Sequence, residues 1–395
     1  MTERLYYSDS YLTSFDAHIL DARPDEARCQ VFLDRTAFYP ASGGQPSDTG
    51  RIAGAAVVDV IDGEDRIVHV VDAPLEPGPA ACQVDWTRRF DHMQQHTGQH
   101  LLSAVLVELF GYATASFHLG AEVSTIDIEA PQLTAAQIEA AEARANAVVF
   151  ENREVGVRFC SPEEAQSLGL RKPSERSGAI RVVEIAGCDR SACGGTHVGR
   201  TGEIGPILVR RQDRVRAATR VEFLCGGRAV RQARADYQGL SRVAQLFSAP
   251  LDQAADLAAA QIEAAKAAGK ALAKLEAQAA EYRGRELYHA ATPDARGRRV
   301  HRASEASGPI EPWRLVAQGF ANSGPGAVFL LAADTPPAIL VALAPDCPAD
   351  AGQLVRAAAT ALGGRGGGSA RLAQASLPSP DAARQAIEQV AAALG

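Results

Sequence analysis

Several things are missing from these 395 residues, and each absence excludes something. No apolar run approaches the ~18 residues that a membrane-crossing helix needs, and the first ten residues, MTERLYYSDS, do not form a signal peptide. The seven cysteines lack paired spacing, which argues against a disulfide framework and fits a reducing cytoplasm. There is no excess of positive charge: the net charge is −7. A protein held to nucleic acid by bulk phosphate neutralisation would be basic, so any RNA contact must come from local basic patches and be salt-sensitive. HTGQH, a His-x-x-x-His, has no glutamate after its first histidine, so the general base of a zinc peptidase is missing. A Gly-rich run near the C-terminus has no Walker lysine, which weakens a nucleotide-triphosphate reading.

What is present centres on Asp91 to Phe110, DHMQQHTGQHLLSAVLVELF. Leu101, Leu102, Val105, Leu106 and Leu109 fall at helical spacing and are expected to face a core. His96 and His100, four apart, project from one face of that helix. Far along the chain, in GCDRSACGGTHV, Cys193 and His197 are again four apart around two glycines. One thiolate and three imidazoles form a donor set suited to a single Zn2+. Either pair alone also fits a solvated helix face or a loop with a buried thiol. Their joint presence in one chain favours the metal. His92 shares a face with His96 and is a candidate for an outer or surface role. Cys188 is an alternative thiolate. Arg88 and Arg89 read as solvated surface at a domain junction.

Residues 1 to 87 lack helical periodicity. Cys29–Leu33, Ala55–Ile61 and Ile67–Val71 are short, β-branched and separated by Gly and Pro, which predicts a small barrel-like β unit. Within it, Gly43 and Gly44 allow backbone to approach a ligand, and Gln45 and Asp48 add polar groups. An ordinary Gly-Pro hairpin loop is the alternative. Residues 114 to 130 read as a strand, with His118 a candidate for proton transfer. Thr134 and Gln137 form a capping box before a helix reaching Phe150. Val155–Phe159 and Ile180–Ile185 read as strands, Pro162–Leu168 as a short helix, and Gly205–Arg210 with Thr219–Phe223 as a hairpin. The mixture predicts α+β. Arg210, Arg211, Arg214 and Arg216 make the densest basic run so far and are candidates for an RNA backbone, with a solvated hairpin tip as the alternative.

A helix is expected from Gly226 to about Phe247. From Leu251 to Tyr282 a seven-residue repeat, through Leu272 and Leu275, predicts a long coiled-coil-like helix that folds back or pairs with another subunit. Beyond it, Ala327–Leu331 and Ala338–Leu343 read as buried strands of an α/β unit with a helix over 350–362. The turn containing Arg365, in Gly-Gly-Arg-Gly-Gly-Gly, can expose N–H groups to phosphate. The expected division is 1–87 barrel-like, 88–236 metal-binding, 237–290 helical connector and 291–395 C-terminal α/β domain.

HTGQHLLS followed by CGGTHV resembles the editing domain of alanyl-tRNA synthetases and free-standing alanyl-tRNA editing proteins. Threonyl-tRNA synthetase editing domains share the His-x-x-x-His, but Gly195-Thr196-His197 points to the alanyl branch. FYPASGGQPSDTG looks like the Gly-rich segment of that family, and GGRGGGSARLAQAS like the glycine-rich loop of the C-terminal domain shared with DHH-type phosphoesterases. The resemblance implies the long, free-standing form, acting as a deacylase on tRNA(Ala) mischarged with serine or glycine. It implies one Zn2+ per chain on His96, His100, Cys193 and His197. A substrate role for Thr36, as sensor of the serine hydroxyl, follows, with Gly43, Gly44 and Gln45 beside it. It further implies contact with the tRNA(Ala) acceptor end and assistance from the C-terminal domain in tRNA binding or homodimer formation. With barrel strands starting near residue 1, no aminoacylation core is expected. Two roles for the metal stay open: a closed site that positions the 3′ end, or a looser one that supplies hydroxide. A non-catalytic, zinc-stabilised tRNA-binding module is the rival reading.

Overall fold

The computed structural model describes residues 2–25, 28–63, 66–130, 132–171 and 178–395. The chain is mixed α+β and divides into two compact units, Met1–Val243 and Ala244–Gly395.

The first unit opens with six antiparallel strands that close into a barrel, in the order Ser14–Asp25, Arg28–Leu33, Arg66–Val71, Ala55–Gly63, Gly50–Ile52 and Gly78–Val84. Alternation drives it: in Gly78–Val84 the inward residues Ala80, Cys82 and Val84 are buried and their neighbours are not. A bulge between Val57 and Asp59 resets the alternation, so Val57 and Val60 both point into the same core. From the barrel rises helix α1 (Trp86–Phe110), with Asp85 accepting the Arg88 N–H at its start and Gly111, φ +71°, ending it.

α1 begins five residues earlier than its hydrophobic pattern indicates and is enclosed on nearly all sides. Leu101, Leu102, Val105 and Leu106 are buried as expected, but Leu109 is exposed, since the last turn projects beyond its neighbours. Arg89 corrects the surface reading. It is fully buried and forks onto Asp48, with Nε 3.0 and 3.1 Å from the carboxylate oxygens, and also donates to the carbonyls of Ser10 and Ala37. This ion pair ties α1 to the glycine-rich segment of the barrel.

Around α1 lie α2 (Ala135–Phe150) and two small sheets. The capping box of α2, Thr134 with Gln137, is present. Residues 114–130 form a hairpin, not one strand: Thr114–Leu119 pairs with Ser124–Ile128, because Gly120 and its neighbours reverse the chain. These strands join Ala218–Cys225 and Ile207–Val215 in a four-stranded sheet. Val155–Cys160, Ile180–Ile185 and Asp189–Ala192 form the other sheet, with α3 (Pro162–Ser167) beside it. α4 (Gly226–Leu246) follows.

The second unit holds α5 (Ala254–Ala290) and a five-stranded sheet ordered Arg299–Glu305, Ala327–Asp334, Pro337–Leu343, Leu372–Ser376, Arg365–Gly368. Only the first pair is parallel, so this is not an α/β unit in the strict sense. Alternate residues of the central strands feed two cores. Val328, Leu330 and Val341 pack under α7 (Ala351–Ala361) and α8 (Pro380–Leu394), while Phe329, Leu331 and Leu340 pack under α6 (Glu311–Ala321) and Tyr288 of α5. α5 crosses α6 at Gly284 and Gly319, where an added Cβ on Gly284 would lie 2.4 Å from the Phe320 nitrogen. The glycine-rich run around Arg365 is an edge strand rather than a free turn, because Gly366 and Gly368 fit against Ala375 and Ala373.

Candidate metal centre and adjoining cavity

His96 and His100 come from one face of α1. Cys193 and His197 come from the loop after the strand Asp189–Ala192. The loop is pinned from beneath by the buried Arg181, which donates to the carbonyls of Cys193 (2.7 Å) and Gly195 (2.9 Å) and, through Nε, to that of Tyr7 (3.0 Å). Gly195 passes so close to α1 that a Cβ there would sit 2.2 Å from His96 Cε1. Gly98 fits against Cys225 for the same reason, with Sγ 2.2 Å from an added Cβ. Gly195 thus lets the loop meet the helix, and Gly98 lets the helix meet the strand Ala218–Cys225.

One ligand atom from each of the four residues lies within 4.8 Å of the other three. Cys193 Sγ is 3.5 Å from His96 Nε2 and 3.3 Å from His197 Nε2. A tetrahedral site with Zn–S of ~2.3 Å and Zn–N of ~2.0 Å has S···N edges of about 3.5 Å, so the spacing fits. The outward ring nitrogens fit as well. His96 Nδ1 is 2.7 Å from Gln45 Oε1, whose amide is oriented by its own bond to Thr196 Oγ1 (2.8 Å). His197 Nδ1 is 3.1 Å from Thr97 Oγ1, which gives its own proton to the Met93 carbonyl (2.8 Å) and so must accept from the ring. His100 Nδ1 is 3.0 Å from Asp189 Oδ2. All three imidazoles therefore donate outward through Nδ1 and turn Nε2 toward the thiol, the arrangement that metal-bound histidines adopt.

Charge agrees with geometry. Burial alone would raise the Cys193 thiol, but the imidazoles of His96 and His197 and hydrogen bonds from His100 and His197 hold it well below its ordinary value. Burial pushes His197 down to about 3. Burial would also lower His100, yet its bonds to Asp189 and Cys193 outweigh this and hold it at about 9. Cys188 is not part of the cluster, and burial pushes its thiol up to about 11, which keeps it protonated.

The cluster forms one wall of a cavity of about 670 Å³. Tyr6, Tyr7, Tyr39, Pro40 and Phe117 supply apolar and aromatic surface; Gln99, Thr114, Ser116, Arg171 and Ser191 supply polar groups. Gly43 lines it. Gly44 does not, packing instead against Phe117, where an added Cβ would meet Cε2 at 2.9 Å. Gln45 is buried behind His96. Thr36 lies inside the barrel, its hydroxyl 2.8 Å from His69 Nε2 and accepting the Phe38 N–H, and is not among the cavity residues. His118 is exposed and also outside the cavity, although its neighbour Phe117 lines it. His92 is buried, lies outside the four-residue cluster and is pushed down to about 4 by burial and then by Arg88. Arg210 pairs with Asp236 and Arg211 with Asp213, whereas Arg214 and Arg216 are exposed at the hairpin tip. Arg365 lies at a separate, smaller cavity of about 330 Å³ in the second unit.

Sequence reasoning did not single out Asp189, Thr97, Gln99, Arg181 or the tyrosines. The spacing of Asp189, four before Cys193, is the one signal that pointed to any of them.

Two stretches match described protein families. Residues 180–220 match the threonyl and alanyl tRNA synthetase second additional domain, and residues 317–395 match the DHHA1 domain. The chain thus carries two stretches similar to synthetase accessory domains. It is also a homologue of proteins named alanyl-tRNA editing proteins. It is 38% identical over 242 residues to the alanyl-tRNA editing protein AlaX-L of Pyrococcus horikoshii, covering 58% of this chain and 59% of that one. To the alanyl-tRNA editing protein Aarsd1 of Bos taurus it is 36% identical over 241 residues, covering 56% and 54%. To the alanine–tRNA ligase of Pyrococcus furiosus it is 35% identical over 273 residues, covering 63% of this chain and 28% of the ligase. The match spans little more than half the length of these editing proteins.

Proposed function

We propose that this chain is a Zn2+-dependent deacylase that removes serine, and also glycine, from mischarged tRNA(Ala). The observation that carries the reading is the convergence of His96, His100 and His197 on Cys193 at the wall of a cavity large enough for a terminal adenosine bearing a small aminoacyl ester. His96, His100, Cys193 and His197 would hold the ion, which when bound supplies Lewis acidity beside the ester carbonyl.

The remaining work belongs to the protein. Asp189, Gln45 and Thr97 fix the ring orientations of the three histidines. Tyr39 and Phe117 offer faces for the adenine, and Gly43 lets backbone approach the aminoacyl group. In the reaction, water oxygen joins the carbonyl carbon, the bond from that carbon to the ribose oxygen breaks, and the ribose hydroxyl takes a proton. Such an activity answers a physical need, since an alanine pocket rejects a small added hydroxyl by only about a hundredfold.

The tRNA(Ala) acceptor end is the proposed partner. Arg214 and Arg216, exposed at the hairpin tip, would contact its backbone, and Arg365 would add a further contact. Ile262, Leu272, Leu275 and Tyr282 lie exposed along α5 and are the proposed homodimer contact. All seven cysteines are free, which suits the cytoplasm. No helix among the described residues is long and apolar enough to cross a membrane.

The test is release of labelled serine, glycine or alanine from tRNA(Ala), and of serine from tRNA(Thr), with and without chelator. Serine and glycine should be released from tRNA(Ala) and alanine spared, and chelator or His197→Ala should abolish metal content and release together. Full activity without bound metal rejects the proposal. Binding of tRNA without release of any amino acid would instead support the non-catalytic module.

A further inference from the structure

Gln99 stands apart from the other buried amides of the site. Gln95 is satisfied at both ends by the backbone of Cys225, at 2.9 and 3.0 Å. Gln45 is satisfied by His96 and Thr196. Gln99 uses only one end. Its Nε2 donates to Ser103 Oγ (2.8 Å), and Ser103 is in turn held by Thr114 Oγ1 (2.7 Å). The carbonyl end, Oε1, is enclosed and has no hydrogen-bond partner among the described residues. The side chain is 2% exposed and lines the cavity beside His96 and His100. A buried acceptor without a donor is costly, and such groups are uncommon outside functional sites.

We infer that Gln99 Oε1 accepts a hydrogen bond from the side-chain hydroxyl of a seryl ester, and so sets the amino-acid preference of the cavity. This rests on the deacylase reading above and names the group that selects the substrate. Three observations favour the hydroxyl. First, the bond to Ser103 pins the amide, so the acceptor is preorganised and cannot turn away to solvent. Second, a lone neutral oxygen suits a neutral O–H better than an ammonium group. The carboxylate that does line the cavity, Asp62, is held by both terminal nitrogens of Arg4, at 2.7 and 2.8 Å. Third, Thr36 is outside the cavity with its hydroxyl committed to His69 and Phe38. A site that hydrogen-bonds a substrate hydroxyl discriminates strongly against the analogue that lacks it, because its own polar group is then left unpaired.

The experiment compares seryl- and glycyl-tRNA(Ala) deacylation by the zinc-loaded wild-type chain and by Gln99→Met, which keeps length and removes the acceptor. The serine-to-glycine ratio of kcat/KM should fall on the order of ten- to a hundredfold in the variant, with metal content unchanged. An equal loss on both substrates, or an unchanged ratio, overturns the inference. A second measurement needs no variant. Calorimetry on the wild-type chain compares non-hydrolysable 3′-amide analogues of seryl- and alanyl-adenosine. The seryl analogue should bind tighter by a similar factor, and equal binding overturns the inference even if Gln99→Met fails to fold. A wild-type chain that binds the seryl analogue selectively but deacylates nothing would reject the deacylase reading and leave Gln99's role as the hydroxyl acceptor standing.

Discussion

Asp189 shows how a residue outside the four-residue cluster can govern a candidate metal site. It is almost wholly buried, accepts from His100 Nδ1, Ser191 and Arg171, and is brought down to about 2 because His100 and Arg171 outweigh the effect of burial. Its partner His100 is correspondingly held up at about 9. In the metal-free protein His100 therefore keeps a proton at pH 7 that a metal ion must displace, while the neighbouring imidazoles hold the Cys193 thiol well below its ordinary value. Metal affinity should rise with pH by about one log unit per pH unit toward pH 9, and fall as pH drops. Asp189→Asn removes the carboxylate, so His100 loses its proton at lower pH. That variant should bind metal ~10- to 100-fold more weakly, with a flatter pH dependence between 7 and 9. Competition against a chromogenic chelator across pH reads both, and superimposable curves for the two proteins would contradict the argument. The four clustered residues were legible in the sequence, because i, i+4 spacing on a helix brings His96 and His100 together and a tight Gly-Gly turn does the same for Cys193 and His197. Asp189 and Thr97 were not, since His100 and His197 lie 89 and 100 residues away from them and are met only when helix and loop come together. Gln99 was not, because its place at the cavity depends on the elements packed against the helix.

At the level of elements, α1 is unusual in burying its polar face as completely as its apolar one. Arg89, Gln95, His96, Thr97, Gln99, His100 and Ser103 are all enclosed. This is why the hydrophobic pattern understated the helix: periodicity marks the leucine face, and nothing local shows that the histidine face meets a barrel and a loop. Asp48 and Arg89 join α1 to that barrel, and neither is exposed. Arg89→Met leaves the Asp48 carboxylate buried without its cation and should destabilise the chain by about 3–5 kcal/mol. Urea unfolding measures it, and adding Asp48→Asn should recover part of the loss. Gly195 calls for a different outcome. A Cβ there would strike His96 Cε1 at 2.2 Å and Nδ1 at 2.4 Å, so Gly195→Ala must displace the ring or the loop. Metal content should fall sharply while far-UV circular dichroism is retained, since the loop lies at the edge of its sheet. Strands rich in β-branched residues, such as Arg28–Leu33 and Arg66–Val71, were readable. Ser14–Asp25 was not, because its charged outward residues mask a sparse inward set of Ala17 and Ile19. Arg365–Gly368 looked like a turn because its strand character comes entirely from backbone pairing.

For the molecule as a whole, the net charge of −7 sets the terms on which RNA can be held. Long-range attraction is unfavourable, so affinity must come from a few cations that have no carboxylate of their own. The arginines of the Ile207–Val215 and Ala218–Cys225 hairpin divide on this criterion. Arg210, Arg211 and Arg220 are paired with Asp236, Asp213 and Asp127. Arg214 and Arg216 have no carboxylate partner among the described residues, and Arg216 is exposed in the turn at the tip, with φ +55°. Releasing counterions from two phosphates contributes about 1.4 to the salt slope on a single strand and up to about 1.8 at the charge density of B-form DNA. Arg214→Ala with Arg216→Ala should therefore weaken tRNA(Ala) binding and lower the slope of log K against log salt by that amount, without changing metal content. Arg210→Ala with Arg211→Ala should change the slope little, because those cations already neutralise protein carboxylates. Filter binding over a potassium chloride series distinguishes the pairs. If both double variants lower the slope equally, the ion pairs open on binding and the hairpin acts as a bulk basic patch instead.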